Sequence, residues 1–140
     1  TRSAVHGRTM SMLVLDASAA VDLLLRTSHD KQLRQAIDGQ EIIAPELIDA
    51  EVLSALARHQ RAGTVDRARA DRAVESFRDL PFTRVSHVLL TDAAWHYRHR
   101  VRTADGFYVA CAALTGAHLL TTDGRLARAP LPGVSILLVR

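Results

Sequence analysis

One cysteine, one lysine and few aromatics mark this chain by what it lacks. A lone cysteine, Cys111, excludes an internal disulfide framework and a cysteine-based zinc site, and fits a reducing cytoplasm. Its alanine-rich helical surroundings predict a buried, inert thiol rather than a nucleophile. No apolar run approaches the ~20 residues of a membrane span, so no membrane association is expected. No internal repeat or low-complexity linker interrupts the chain, and 140 residues give room for one domain and one core. With 48% apolar and 24% charged residues, the composition is globular rather than disordered or fibrous.

Strong positive charge is also missing once the N-terminus is set aside. Residues 1–11 are polar, aperiodic and begin without Met, which predicts a foreign remnant before a native start at Met12 or Met10. The net charge of +3 includes Arg2 and Arg8 from that stretch, and without them 16 basic residues face 15 acidic ones. A bulk basic footprint for nucleic acid is therefore absent, and any such reading must rest on local patches. Apart from Lys31 the basic residues are all Arg, which makes bidentate phosphate contacts; genome base composition gives the same bias.

Short apolar runs alternate with longer helical stretches. Strands are predicted at Met12–Asp16, Glu41–Ala44, Phe82–Val85, His118–Thr122 and Ser135–Val139. The first helix is expected over Ala17–Thr27. A second, about Pro45–Arg61, has Pro45 in its first turn, places Ile48, Val52, Ala55, Leu56 and His59 along one side, and stops at Gly63. Thr64 reads as the N-cap of a helix to Asp79 with Val65, Ala68, Val74 and Phe77 as its buried stripe. Pro81 breaks it, a helix follows across Leu90–Arg100, and Thr103 caps another through Leu114, ended by Gly116. Strands alternating with helices predict a parallel sheet flanked by helices, with chemistry beyond the carboxyl ends of the strands.

Two acids fall at those ends: Asp16 closes the first strand and Asp123 follows the fourth. Asp105 falls in the first turn of the Thr103 helix, and Glu51 about two turns into the Pro45 helix. Each has a plain explanation alone: Asp16 as a helix cap, Asp123 with Gly124 as a turn, Asp105 as a dipole partner, Glu51 as a solvated acid. Converging on one sheet edge, they would repel by about 4 kcal/mol per close pair at an effective dielectric near ~20. A hard divalent cation removes that cost, because Mg²⁺ takes oxygen ligands and keeps sites for water and phosphate. Such ions generate hydroxide and stabilise the leaving oxygen in phosphodiester cleavage.

The stretches LDASAAV (Leu15–Val21), PELIDAEVLSAL (Pro45–Leu56), TADGFYVACA (Thr103–Ala112) and LLTTDGRL (Leu119–Leu126) resemble, in order and spacing, the four acidic blocks of PIN-domain nucleases. The likeness runs from Met12 to Arg140 and is nearest to the VapC-type toxins of bacterial toxin–antitoxin modules. It implies a three-layer α/β/α sandwich around a mainly parallel five-stranded sheet. Asp16, Glu51, Asp105 and Asp123 would be the catalytic, metal-binding acids, with Ser18 and Thr122 as supporting hydroxyls. The cofactor it implies is Mg²⁺, with Mn²⁺ as a substitute, and the substrate a structured RNA of the transfer or ribosomal class. The partners it implies are a VapB-type antitoxin entering the active-site groove and a second copy in a homodimer. The helical pair over Pro45–Asp79 corresponds to the region that commonly grips the antitoxin and takes part in dimerisation. Gly106 departs from the pattern, where a helix former such as Ala is usual, at a cost of about 1 kcal/mol to that turn.

Around the acids, Arg98, Arg100 and Arg102 precede Asp105, and Arg125 and Arg128 follow Asp123. They could form a basic rim for RNA backbone or a plain charged helix face. Asp49 and Asp22 read as solvated acids, and Asp92 as the start of a helix. His96 and His99 have metal spacing without a third ligand, and Trp95 and Tyr97 read as packing residues. Three alternatives remain. A haloacid-dehalogenase-like phosphatase would want a second Asp where Ser18 stands, and a Lys before its last acids. A receiver domain would want an acid pair early and a Lys late. A catalytically silent PIN-like scaffold would not need the full acid set.

Overall fold

A computed structural model of the chain describes residues 11–140 and a small antiparallel pairing of Ala4–Val5 with Arg8–Thr9. Met10 and most of the expected remnant lie outside the described residues. The main sheet holds β1 (Met12–Leu15), β2 (Glu41–Pro45), β3 (Thr83–Val85), β4 (His118–Thr121) and β5 (Ile136–Leu138). All four pairings are parallel, in the order β3-β2-β1-β4-β5. The central strands are continuous apolar runs because both their faces are covered: Leu13, Val14, Leu15, Leu119 and Leu120 are buried.

Among the described residues seven helices flank this sheet: α1 (Ala17–Leu24), α2 (Asp30–Ile37), α3 (Ile48–Arg61), α4 (Arg67–Asp79), α5 (His87–His96), α6 (Thr103–Thr115) and α7 (Gly124–Ala127). Helices α1 to α4 pack with one another, and α5 packs on α6, which lies against β1, β2 and β4. Right-handed crossovers place the β1-to-β3 connections on one face and the return to β4 on the other. The expected three-layer α/β/α sandwich results. No helix among the described residues is long and apolar enough to cross a membrane.

Several expected boundaries move, each for a local reason. The first helix stops at Leu24 because Arg26 takes a left-handed φ of 52°, a turn with no Gly or Pro to signal it. The unforeseen α2 follows, anchored by the buried Leu33 with Ala36 and Ile37 packed against the core. Pro45 ends β2, where it pairs with Val85, instead of starting a helix. Asp66, not Thr64, caps α4 by accepting from Arg69 N–H at 2.8 Å, so the buried stripe becomes Ala70, Ala73 and Phe77. Thr64 instead closes the end of α3: Gly63 has a φ of 78°, and Thr64 N–H donates to the His59 carbonyl at 3.0 Å. Likewise Arg102 rather than Thr103 occupies the N-cap of α6, with no side-chain cap bond. Asp49 is not merely solvated; it accepts two bonds from Arg84, at 2.6 and 2.7 Å.

Gly106 is buried inside an intact α6, so it does not weaken the helix start. A Cβ there would lie 3.1 Å from the Ala94 carbonyl oxygen, which is how closely α5 approaches α6. Gly106→Ala should therefore lose more in packing than the ~1 kcal/mol of helix propensity it gains. We expect a net destabilisation of about 1–2 kcal/mol in urea unfolding; an unchanged or raised midpoint would refute that contact.

Candidate active site

Strand order makes the site. From β1 the chain moves to β2 on one side, and from β4 to β5 on the other, so a crevice opens at their carboxyl ends. Register then aligns the acids: Leu15 pairs with Leu120, and Asp16 N–H donates to the Leu120 carbonyl at 3.2 Å. A cleft of about 580 Å³ lies there, lined by Asp16, Glu51, Asp105 and Asp123 together.

Each of these carboxylates stands at a helix N-terminus. Asp16 caps α1, Glu51 and Asp105 lie in the first turns of α3 and α6, and Asp123 caps the short α7. Helix amides and dipoles favour negative charge at such ends. The capping role and the clustering of charge are therefore one arrangement. Glu51 is nearer the helix start than expected, because α3 begins at Ile48.

Asp16 is the most enclosed, with 5% of its surface exposed. Its Oδ1 accepts from Ala19 N–H at 2.9 Å and Ser18 Oγ at 2.8 Å. Burial nevertheless pushes its carboxyl up to about 6, against the pull of Thr121, Ala19 and Ser18, and the Asp105 charge adds to the rise. Ser18 also accepts from Thr122 N–H at 3.3 Å, while its Oγ lies 3.2 Å from the fully buried Thr121 hydroxyl. Thr121 Oγ in turn accepts from Asp123 N–H at 2.9 Å. The hydroxyl joining the first and last acids is thus that of Thr121, and Thr122 contributes its backbone.

Two arginines counter the charge. Arg102 Nε reaches Asp105 at 3.2 Å, and Arg125 Nη2 lies 3.0 Å from Asp123 and 3.7 Å from Asp105. Partial burial pushes Asp123 up, but the bonds from Arg125 outweigh it and hold the carboxyl below its ordinary value. Of the five rim arginines, Arg102 lines the cleft and Arg125 stands beside it. Arg98 stacks on Trp95 at 4.5 Å, Arg100 donates to the Pro130 carbonyl at 2.8 Å, and Arg128 packs near Gly124. Trp95 is 65% exposed rather than packed. Cys111 is buried, and burial pushes its thiol up to about 11.

The cleft also contains residues to which the sequence reading gave no part in the site. Tyr108 is buried with its hydroxyl unpartnered among the described residues. Burial, then the charges of Glu51, Asp16 and Asp105, push its phenol far up, so it stays neutral. Arg58 and His59 line the α3 wall and Asp22 the α1 wall. The spacing of Arg58 and His59 from Glu51, seven and eight residues on a helix, was the available signal. The donor set is all oxygen and hard, which suits Mg²⁺ or Mn²⁺. Among the described residues no three acid, His or Cys side chains are close enough to hold one ion together. The residues fit a divalent cation by donor chemistry and by sharing one cleft.

The chain belongs to the PIN domain family, whose sequence model matches residues 13–131. Ribonuclease VapC3 of Mycobacterium tuberculosis is 48% identical over 118 residues, covering 84% of this chain and 86% of that protein. Ribonuclease VapC9 of the same organism is 36% identical, covering 82% and 88%. Among solved structures, VapBC2 from Rickettsia felis bound to a promoter DNA fragment shares the fold. Its TM-score is 0.66 at 9% identity, over 92% of this chain and 99% of that one. DNA-bound VapBC from Salmonella typhimurium gives 0.65 at 13% identity, covering 91% and 98%.

Because Asp16 is harder to ionise folded than unfolded, its contribution to stability is present below its unfolded value near 3.8 and lost as pH rises through about 6. In chelator at pH 7.5, Asp16→Asn should therefore unfold later than wild type, by on the order of 1–2 kcal/mol. The difference should vanish below pH 4, near the unfolded value of 3.8. A less stable variant at pH 7.5 would contradict the desolvation argument.

Proposed function

We propose that this protein is a divalent-metal-dependent endoribonuclease acting in the cytoplasm as the toxin of a toxin–antitoxin pair. One observation carries the reading: four carboxylates from four separate chain segments line one cleft at the carboxyl edge of the sheet. Membership in the PIN family and the ribonuclease names of the VapC relatives support it. Asp16, Glu51, Asp105 and Asp123 would hold Mg²⁺, or Mn²⁺ in its place. The bound cation would offset the mutual repulsion of the acids and supply a hydroxide at neutral pH for attack on a phosphodiester.

The chain's own part is to position and to discharge. Ser18, the Ala19 amide and Thr121 fix the rotamer of Asp16, so the first acid is held in place before substrate arrives. Tyr108 keeps its proton beneath the acids and can donate it to a carboxylate oxygen. Arg102 and Arg125 stand at the mouth, where a phosphate oxygen can take the place of Asp105 as their partner. The substrate class is a structured RNA, transfer or ribosomal. The remaining partners are a VapB-type antitoxin and a second copy of the chain, and α3 with α4 forms the surface offered to the antitoxin.

With total bacterial RNA and Mg²⁺ or Mn²⁺, the purified protein should give discrete fragments that disappear in excess chelator. Asp16→Asn and Asp105→Asn should lower cleavage more than about 100-fold while remaining folded, and Ser18→Ala should lower it about 10–100-fold as an orienting partner. Full cleavage by either Asp variant, or in chelator, would overturn the metal mechanism. Expression of the intact chain should arrest bacterial growth unless the antitoxin is co-produced; harmless expression would overturn the toxin assignment.

A further inference from the structure

Helix α3 is acidic where it meets the strand ends and basic two turns further on. Glu51, Ser54, Ala55, Arg58 and His59 follow the i, i+3, i+4, i+7, i+8 spacing of one helical face, and all five line the cleft. At a rise of ~1.5 Å per residue, Arg58 and His59 lie roughly 10–12 Å beyond Glu51 along the helix axis. That distance is too long for one phosphate to touch both ends of the row.

The two basic residues are prepared differently. Arg58 is exposed and, unlike Arg102 and Arg125, has no carboxylate partner among the described residues. His59 is half-buried and its ring is held in place. The Thr64 hydroxyl donates to the His59 carbonyl at 2.9 Å, so its oxygen is left to accept from the ring Nδ1–H, also at 2.9 Å. With Nδ1–H donating to Thr64, Nε2 of the neutral ring carries the lone pair, and it has no hydrogen-bond partner among the described residues. Asp22, the acid on the facing wall, is 3.5 Å from His29 Nδ1.

We propose that Arg58 and His59 form a second backbone subsite, at the nucleotide neighbouring the one that is cut. Arg58 binds the phosphate of that nucleotide, and His59 Nε2 accepts from its ribose 2′-hydroxyl, the group that distinguishes RNA from DNA. The proposal rests on the nuclease reading and adds to it a reason for preferring RNA at one position beside the cut.

Cleavage of a short RNA substrate with Mg²⁺ tests it, using wild type, Arg58→Ala and His59→Ala. The substrate carries a neutral methylphosphonate or a single deoxynucleotide at each position in turn. Wild type should show one methylphosphonate position, next to the cut, that raises KM about tenfold, the size of one charge-assisted contact. Arg58→Ala should raise KM to the same extent with kcat nearly unchanged, should lose sensitivity to that methylphosphonate, and should flatten the salt dependence by about 0.7 in log–log slope. His59→Ala should lose the penalty for a deoxynucleotide there. Arg58→Gln and His59→Gln replace the alanine variants if melting curves show those misfolded. Variants with wild-type KM and wild-type position maps would overturn the subsite while the nuclease reading stands. A loss in kcat alone would overturn it too, by placing these residues at the reacting phosphate. Wild-type protein that neither cuts nor binds the RNA would bring down both readings.

Discussion

Negative charge gathered in one place is the constraint around which this structure is organised. Four carboxylates share a cleft, one of them almost without solvent, and their gathered charge needs compensation. The fold provides it by aiming four helix N-termini at the same spot, so that amides of α1 and α7 bond to Asp16 and Asp123 while the first turns of α3 and α6 carry Glu51 and Asp105. Only a parallel sheet brings that many helix starts to one edge, since every strand leaves it in the same direction. Arg102 and Arg125 complete the compensation at the rim. Asp16 still remains difficult to ionise, a stability cost carried where the chemistry is expected.

The sheet was readable because its strands are short apolar runs between periodic segments, and all five appear within a residue or two of expectation. Boundaries were less readable where two residues could play the same part. Thr64 and Asp66 are both good caps, and the choice depends on Gly63 ending α3 in a turn that uses Thr64 for itself. The break before α2 had no signal at all, because Arg26 adopts a conformation normally left to Gly or Asn. Gly106 looked like a flaw in a helix and is instead the point where two helices touch, a fact about α5 that no reading of α6 alone contains.

For the site, sequence order was a good guide to the acids and a poor one to the bases. The acids follow strands or begin helices, positions that topology sends to one edge. The arginines adjacent to them in sequence scatter: Arg98 goes to Trp95 and Arg100 to the Pro130 carbonyl, and only Arg102 enters the cleft. Arg58 and His59 reach it from α3 because a helix face, rather than neighbourhood along the chain, decides what a cleft wall presents. Tyr108 was hidden for the opposite reason, an apolar-looking residue in an apolar helix whose single polar atom ends beneath the acids.

The link between Ser18 and Thr121 spans 103 positions of the chain. β4 inserts beside β1 only after six helices and two strands, β2 and β3, have been made. A ribosome making this protein therefore extrudes Asp16 well before Asp123, and domains of this size close as units once their non-local partners exist. Until His118–Thr121 has cleared the exit tunnel, the crevice has only one wall of its floor and Asp16 has no Thr121 behind it. The four acids can therefore share one cleft only after the segment carrying β4 and Asp123 has joined the rest of the sheet.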